Sequence, residues 1–426
     1  MVLYGGTAES TGLAEEENKK SRMVNVMMFL LILYVFFMYT AQKTLLPTVI
    51  HSCVMYLFVG WTFFQTLLVT RGNTMIGSYT KWYFVLIIYS ILSYAWASYV
   101  VGAALYNMFV SLIITYCFIC TIDTKEKLNI VVKTFILSAD VMCLMLLFTG
   151  QLTAGVDGDR LGQEITGNAN SFSALLMMAA VFAAWTFVYN AKGFWRKIIY
   201  LGSLGFLLYT MALSGGRKTI VAVVCCFLYF IIFKDIQKSI KTLGNILKAF
   251  AVLAIVYFAI MNIPVLYDTI GERFVQLFDM LSGGTSGVQS DNLRSRLVYL
   301  ALDGWTSRPI AGYGLDTFKY YNQSVTGHFY YAHNNYAELL YDLGVIGFVL
   351  YYAFVVKLTK KLFAVKSENH AYKALGIGII FELLVFDFGG VSYYTVMTQI
   401  LLCIAFISCR MALGEDSFEQ REGDNI

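Results

Sequence analysis

The sequence predicts an all-α polytopic membrane protein of about 12 transmembrane helices, with one large extracytoplasmic loop between spans nine and ten. Three observations carry this. Of 426 residues, 58% are apolar and only 14% charged, against about 25% charged in a soluble domain. Apolar runs recur along the chain at close to the roughly 20 residues that a helix needs to cross a bilayer. Lys and Arg are divided unevenly between the segments that join those runs. Together these exclude a disordered chain, a disulfide scaffold, a fibrous protein and an ordinary soluble enzyme.

Residues 1–23 are polar and contain Lys19, Lys20 and Arg22. No cleavage site follows the first apolar run, so this stretch is expected to be a cytoplasmic tail and not a signal peptide. The expected spans are 24–41, 47–69, 82–98, 102–122, 128–150, 170–190, 195–213, 218–233 and 246–263, then 335–356, 373–388 and 392–409. Only a weak break near Ser98–Gly102 divides the third from the fourth. The chain therefore divides into helices one to nine (24–263), a large loop (264–334), helices ten to twelve (335–410) and a polar cytoplasmic tail (411–426). The eight cysteines lie in or at the ends of apolar runs, including a CxxC at Cys117 and Cys120. They are expected to be buried membrane residues and not zinc or redox sites.

With the N-terminus inside, most of the 31 Lys and Arg fall on the cytoplasmic side, as the positive-inside rule requires. The exceptions are Lys43, Arg160, Arg217, Lys218, Arg273, Arg294, Arg296, Arg308 and Lys319. This set is rich in Arg although Lys predominates in the chain. Arg binds phosphate through a planar fork, whereas Lys acts as a point charge. Some of these arginines are expected to pair with loop acids such as Asp157, Glu272 or Asp291, and the excess points to an anionic ligand.

Three outer segments concentrate the polar chemistry. Residues 151–169 contain Arg160, an Asp157–Asp159 pair and the turn Gly167, Asn168, Ala169, Asn170. An acidic pair is too common to assign a metal, and none is expected. At the second segment, span seven runs into span eight through Ser214, Gly215, Gly216, Arg217 and Lys218. A helix N-terminus favours anions through its free N–H groups and dipole, so Arg217 and Lys218 form a candidate pyrophosphate cradle, with snorkelling to the headgroups as the alternative. The large loop is the third segment, and loops of that length are usually functional. In it DNLRSRLVYLALDGW predicts a helix with Leu293, Leu297, Leu300 and Ala301 on one face. Pro309, Gly312 and Gly314 break the pattern. Tyr313, Tyr320, Tyr321, Tyr330, Tyr331 and Tyr336 follow, suited either to sugar faces or to the membrane interface. Two of the four histidines, His328 and His333, lie at its end. Asn335 could cap the next span with Glu338 completing a capping box; Glu338 is equally a candidate for catalysis.

Four stretches, in order, resemble the O-antigen ligase and polymerase family (the Wzy/WaaL type). SGGRKT looks like its Ser-Gly-x-Arg entry to a span. GNANSF, preceded by Arg160, is similar to its Gly-Asn-Pro-Asn-x-Phe turn, with Ala169 in place of Pro. RLVYLALDGWTSRPIAGYGLDTF, from Arg296, looks like its Arg, helix, Pro and Gly-x-Gly segment; spacing favours Arg296 over Arg294. HNNYAELLYDLGVIG is similar to its His-Asn-x-x-x-Glu-Leu and Leu-Gly-x-x-Gly segment.

The resemblance covers residues 160–348. It implies inverting transfer of an oligosaccharide from undecaprenyl pyrophosphate at the outer face of the bacterial cytoplasmic membrane, with no cofactor and no metal. It assigns Arg217 and Arg296 to the leaving pyrophosphate and His333 to the acceptor hydroxyl, with Glu338 in support. Arg160, Arg294, Lys218, Asn168, Asn170, Asn334, Tyr313 and Tyr331 are implied in substrate binding. Expected partners are the undecaprenyl-pyrophosphate-linked oligosaccharide, membrane lipids, and a chain-length regulator and flippase of the same pathway; nucleic acid is not among them. A polymerase and a ligase share this donor chemistry, and the repeat-joining polymerase is the favoured reading. A twelve-helix transporter of lipid-linked sugars, with Glu382 and Asp387 as intramembrane acids, is the competing class.

Overall fold

The computed structural model describes residues 25–69, 77–100, 102–152, 161–234, 239–264, 267, 271, 289–365 and 369–414. Residues 1–24 and 415–426, Arg160, the Asp157–Asp159 pair and Arg273 lie outside the described residues.

Fifteen α-helices, and no strands, occur among the described residues. They are α1 Asn25–Thr40, α2 Thr48–Val69, α3 Ser78–Ser93, α4 Gly102–Thr121, α5 Lys125–Phe148, the single turn α6 Gln163–Thr166 and α7 Ala169–Trp185, continued by a π turn over Thr186–Asn190. Next come α8 Phe194–Leu213, α9 Arg217–Phe233, α10 Ser239–Asn262, α11 Gln289–Ser307, α12 Phe318–Thr326, α13 Asn335–Ala364, α14 His370–Asp387 and α15 Val396–Leu413. A helix lies on every expected span. Seven are long and apolar enough to cross a membrane: α2, α4, α5, α7 with its π turn, α10, α13 and α15. The protein is an all-helical, multi-pass membrane protein.

Boundaries moved where side chains had been misjudged. Helix α3 starts four residues before the expected 82, because Tyr79 and Tyr83 are fully buried. Their ring oxygens find carbonyl acceptors at Gln399 and Tyr393, so tyrosines that look interfacial serve as core. Helix α15 starts four residues after 392, because Ser392–Tyr394 are held in a turn. The expected capping by Asn335 is corrected. Asn334 is the cap and accepts from the Ala337 N–H at 3.0 Å. Asn335 is buried inside, where its Oδ1 accepts from the Ser392 and Tyr393 N–H groups and its amide donates to Tyr352.

The core centres on α7, 89% buried over its span. Its small residues Ala179, Ala180, Ala183 and Ala184 let α5, α8, α9 and α14 approach closely. Membrane helices lack a hydrophobic drive to pair and rely on such close packing. Helix α15 is the second interior helix, 78% buried. Cys117, Cys143, Cys226, Cys403 and Cys409 are buried and all eight cysteines are free.

Helix α13 is broken at Gly344, whose φ of 64° and ψ of −167° are not helical. The break leaves helical N–H and C=O groups without their usual partners, which is costly away from water. Residues 309–314 fill it. Tyr313 N–H donates to Tyr341 O at 3.0 Å and Gly314 N–H to Asp342 O at 2.7 Å; Val345 N–H donates to Pro309 O at 2.9 Å and Ile346 N–H to Ile310 O at 3.2 Å. The Pro–Gly–Gly segment and the Leu–Gly segment, distant in sequence, are the two halves of one backbone clasp. Asp342 reinforces it: Oδ1 accepts from the N–H groups of Thr317 and Phe318, and Oδ2 from the Tyr393 hydroxyl.

The clasp clamps α11 and α12 against α13. Leu297 and Ala301 of α11 are buried there as expected, but Leu293 is exposed. Tyr313 stacks on Tyr341 at 4.6 Å beneath the Arg308 guanidinium, so it packs the loop onto α13. Lys319 is paired with Asp316 at 2.5 Å.

Candidate active site

Four segments meet at the end of the bundle where α7 and α9 begin. The first is the turn before α7. Asn168 caps that helix by accepting from Asn170 N–H at 2.8 Å. Gly167 has a φ of 78°, and a Cβ placed there would lie 4.0 Å from the Lys43 ammonium.

The second segment is the start of α9. Gly216 packs so closely on α7 that a Cβ there would overlap Ser173 and lie 2.7 Å from Thr219 Oγ1. No side chain caps α9; the Arg217 N–H donates to Gly215 O at 3.0 Å, and the positive end of the helix dipole lies at this terminus. Arg217 is half-buried on this first turn. The Lys218 ammonium donates to Phe388 O at 2.9 Å, at the end of α14, and remains within electrostatic reach of His333.

The third segment is α11. Its two arginines separate: Arg294 is half-buried and acts electrostatically on both His333 and Tyr331, while Arg296 is exposed. The arginine beside His333 is therefore Arg294, not the Arg296 that spacing favoured. One helical turn holds 3.6 residues, so positions 294 and 296 cannot share a face.

The fourth segment is the turn into α13. His333 has a φ of 53°, in the left-handed region that His adopts more readily than most residues. Its ring lies 4.0 Å from that of Tyr331, and its Nδ1 is buried without a hydrogen-bond partner among the described residues. Burial, then the positive charges of Arg294 and Lys218, push its pKa down to about 4. At neutral pH it is an uncharged imidazole able to accept a proton. His328 stacks on Tyr330 instead and is exposed.

Glu338 lies beneath this turn, fully buried. One carboxylate oxygen accepts from Ala332 N–H at 2.6 Å. It holds the backbone just before His333 and does not complete a capping box. A neutral amide oxygen can accept the same bond, so Glu338→Gln is expected to keep activity within about threefold. Glu338→Ala leaves a buried N–H unpaired, worth about 1–3 kcal/mol, and is expected to lose most activity. Turnover of both variants checks this; equal loss in both would assign the carboxylate a charge-dependent role.

The site thus gathers Arg217, Lys218, Arg294, His333, Glu338, Asn168, Asn170, Asn334 and Tyr331 around one end of the bundle. Arg296 is exposed on α11, and Tyr313 is stacked on Tyr341. Sequence reasoning missed Asp342 and the inner role of Asn335; the only sign of either was a polar residue at the entry of an apolar run. No group of three or more His, Cys, Asp or Glu able to hold a metal occurs among the described residues.

Residues 202–352 match the family model described as O-antigen ligase (Wzy_C). The matched segment is the one that carries Arg217, Arg294, His333 and Glu338. No curated protein matches the chain.

Proposed function

We propose that this chain, with its O-antigen ligase segment, is a polysaccharide polymerase that joins oligosaccharides carried on undecaprenyl pyrophosphate. The active end of the bundle faces outward from the bacterial cytoplasmic membrane. The observation that carries the reading is a neutral histidine set among Arg294 and Lys218, next to the uncapped α9 terminus bearing Arg217. Such a site suits a hydroxyl nucleophile and a pyrophosphate leaving group.

In this mechanism the acceptor hydroxyl gives its proton to His333 as its oxygen attacks the donor's first sugar from the face opposite the pyrophosphate. The sugar–phosphate bond breaks and its electron pair leaves with the pyrophosphate. Charge grows on that group in the transition state, where preorganised cations are most effective. Arg217 and Arg294 supply them, with Lys218 and the α9 dipole in support. The donor's negative charge opposes the two cations beside His333. Donor binding therefore raises the histidine's proton affinity at the moment when a base is needed.

The site cations gather at one end of the bundle, which favours transfer chemistry there over a carrier's mid-membrane site. Asp387, one of the two acids a carrier would use, accepts from the Tyr352 hydroxyl at 2.7 Å.

The test uses purified protein and synthetic undecaprenyl-pyrophosphate oligosaccharide, with a chelator and no nucleotide. A ladder of longer lipid-linked glycans is expected. Release of undecaprenyl pyrophosphate only when a different acceptor is added would make the protein a ligase, and movement of intact donor across a vesicle would make it a carrier. Arg217→Lys is expected to lose about 10²-fold, close to Arg217→Ala, because oriented contacts to the leaving group are lost. Arg294→Ala is expected to exceed Arg296→Ala in its effect; the reverse order would return the clamp to Arg296.

A further inference from the structure

At the opposite end of α7 lies a second polar site. A cavity of ≈ 330 Å³ is lined by Lys133 of α5, Thr186 and Asn190 of the π turn, and Arg196, Ile199 and Tyr200 of α8. The lining holds two cations and no carboxylate. Next to it, Phe194 and Trp195 are 72% and 75% exposed, as aromatic residues are where a protein meets the headgroup layer.

Thr186 supplies the independent observation. Threonines inside helices usually return their hydroxyl to the carbonyl four residues back, and Thr62, Thr121 and Thr210 do so here. The Thr186 hydroxyl does not. It is 1% exposed and has no hydrogen-bond partner among the described residues. Its own carbonyl accepts from Ala191 N–H at 2.8 Å, the wide spacing of a π turn, a distortion often found at functional positions. A buried hydroxyl without a partner is destabilising, and a ligand in the cavity would relieve that. Asn190 is held in place by donating to Asn129 Oδ1 at 3.0 Å. Helix α8 begins in the same corner with no side-chain cap, so its dipole adds to the two cations.

We propose that this cavity binds a phosphate group, carried by an anionic phospholipid of the surrounding leaflet. Lys133 and Arg196 provide the charge, Thr186 a buried donor, and Trp195 a contact for the lipid's glycerol and first methylenes. The site is separate from the His333 site, at the other end of the same central helix, and does not depend on the reaction proposed there.

The experiment uses full-length protein purified in neutral detergent. Phosphatidylglycerol and phosphatidylcholine are added in equal amounts, and retained lipid is read by native mass spectrometry. Wild type is expected to retain phosphatidylglycerol about tenfold better, as charge-assisted bonds would give. Lys133→Gln with Arg196→Gln is expected to erase the preference. Thr186→Val, almost the same shape, is expected to weaken it several-fold with a melting temperature no lower than that of the wild type. Lys192→Gln and Lys197→Gln, outside the lining, are expected to keep it. Retention unchanged in the double and Thr186 variants, or lost equally in Lys197→Gln, overturns the site. Stabilisation by inorganic phosphate that depends on Lys133 and Arg196, with no lipid preference, overturns the lipid source and leaves a site for free phosphate.

Discussion

His333→Ala is expected to reduce glycan transfer by about 10²–10⁴-fold, the usual worth of a positioned proton acceptor, while lipid-linked donor still binds. Turnover and donor binding should be measured on the same preparation. The imidazole is half-buried, and Arg294 and Lys218 add to burial in holding its pKa near 4. The sign of the pH effect follows. Protonation of free enzyme inactivates the base, so the acid limb of kcat/KM should fall near pH 4 and not near the usual 6.5. Arg294→Gln removes a neighbouring positive charge, makes protonation easier and should move the limb to higher pH, whatever it does to the maximum rate. A limb that stays fixed in Arg294→Gln would separate the two residues. His328→Ala is expected to be mild, because that ring is exposed and stacked on Tyr330.

Gly344→Ala is expected to have the largest effect on stability. The position has a φ of 64°, and a Cβ there would lie 2.2 Å from the Ile310 carbonyl oxygen. That φ combined with a ψ of −167° is a region open essentially to glycine alone, and it costs another residue about 1–3 kcal/mol before any clash. The clash is with backbone, which has no alternative rotamer, so the clasp between residues 309–314 and 341–346 must open. The expected result is a lower midpoint of thermal unfolding in detergent, together with loss of transfer. Gly312→Ala should behave similarly, since its Cβ would lie 2.5 Å from Asp342 O. Gly60→Ala is the control, with nothing within 4 Å of the added carbon, and should leave both readings near wild type. A Gly344→Ala protein as stable as that control would mean that the clasp contributes little.

Hydropathy located the helices because a bilayer requires uniform apolar runs. It misplaced the starts of α3 and α15, where Tyr79, Tyr83, Ser392 and Tyr393 are polar in composition but buried and bonded. The short segments were legible as places where polar groups gather, since cations beyond the apolar runs had few other reasons to be there. The choice between Arg294 and Arg296 was not legible. It depends on the rotation of α11 about its axis, and the amphipathic pattern that should have set it included Leu293, which is exposed. The tyrosines were legible only in sum: Tyr331 lies at the site, while Tyr313 and Tyr321 pack against Tyr341. The role of Asp342 depends on a contact across 25 residues of sequence, which no local spacing encodes.

The bond between Gly314 and Asp342 closes a ring of chain, residues 315–341, that contains α12, both loop histidines and the Asn334 cap. Its base is fixed by main-chain atoms, which any residue supplies, apart from the glycines and Asp342. Side chains along the ring's outer rim can therefore be exchanged without moving the imidazole from its cations. One scaffold could in this way be refitted to different sugars while its anion-handling parts stay in register.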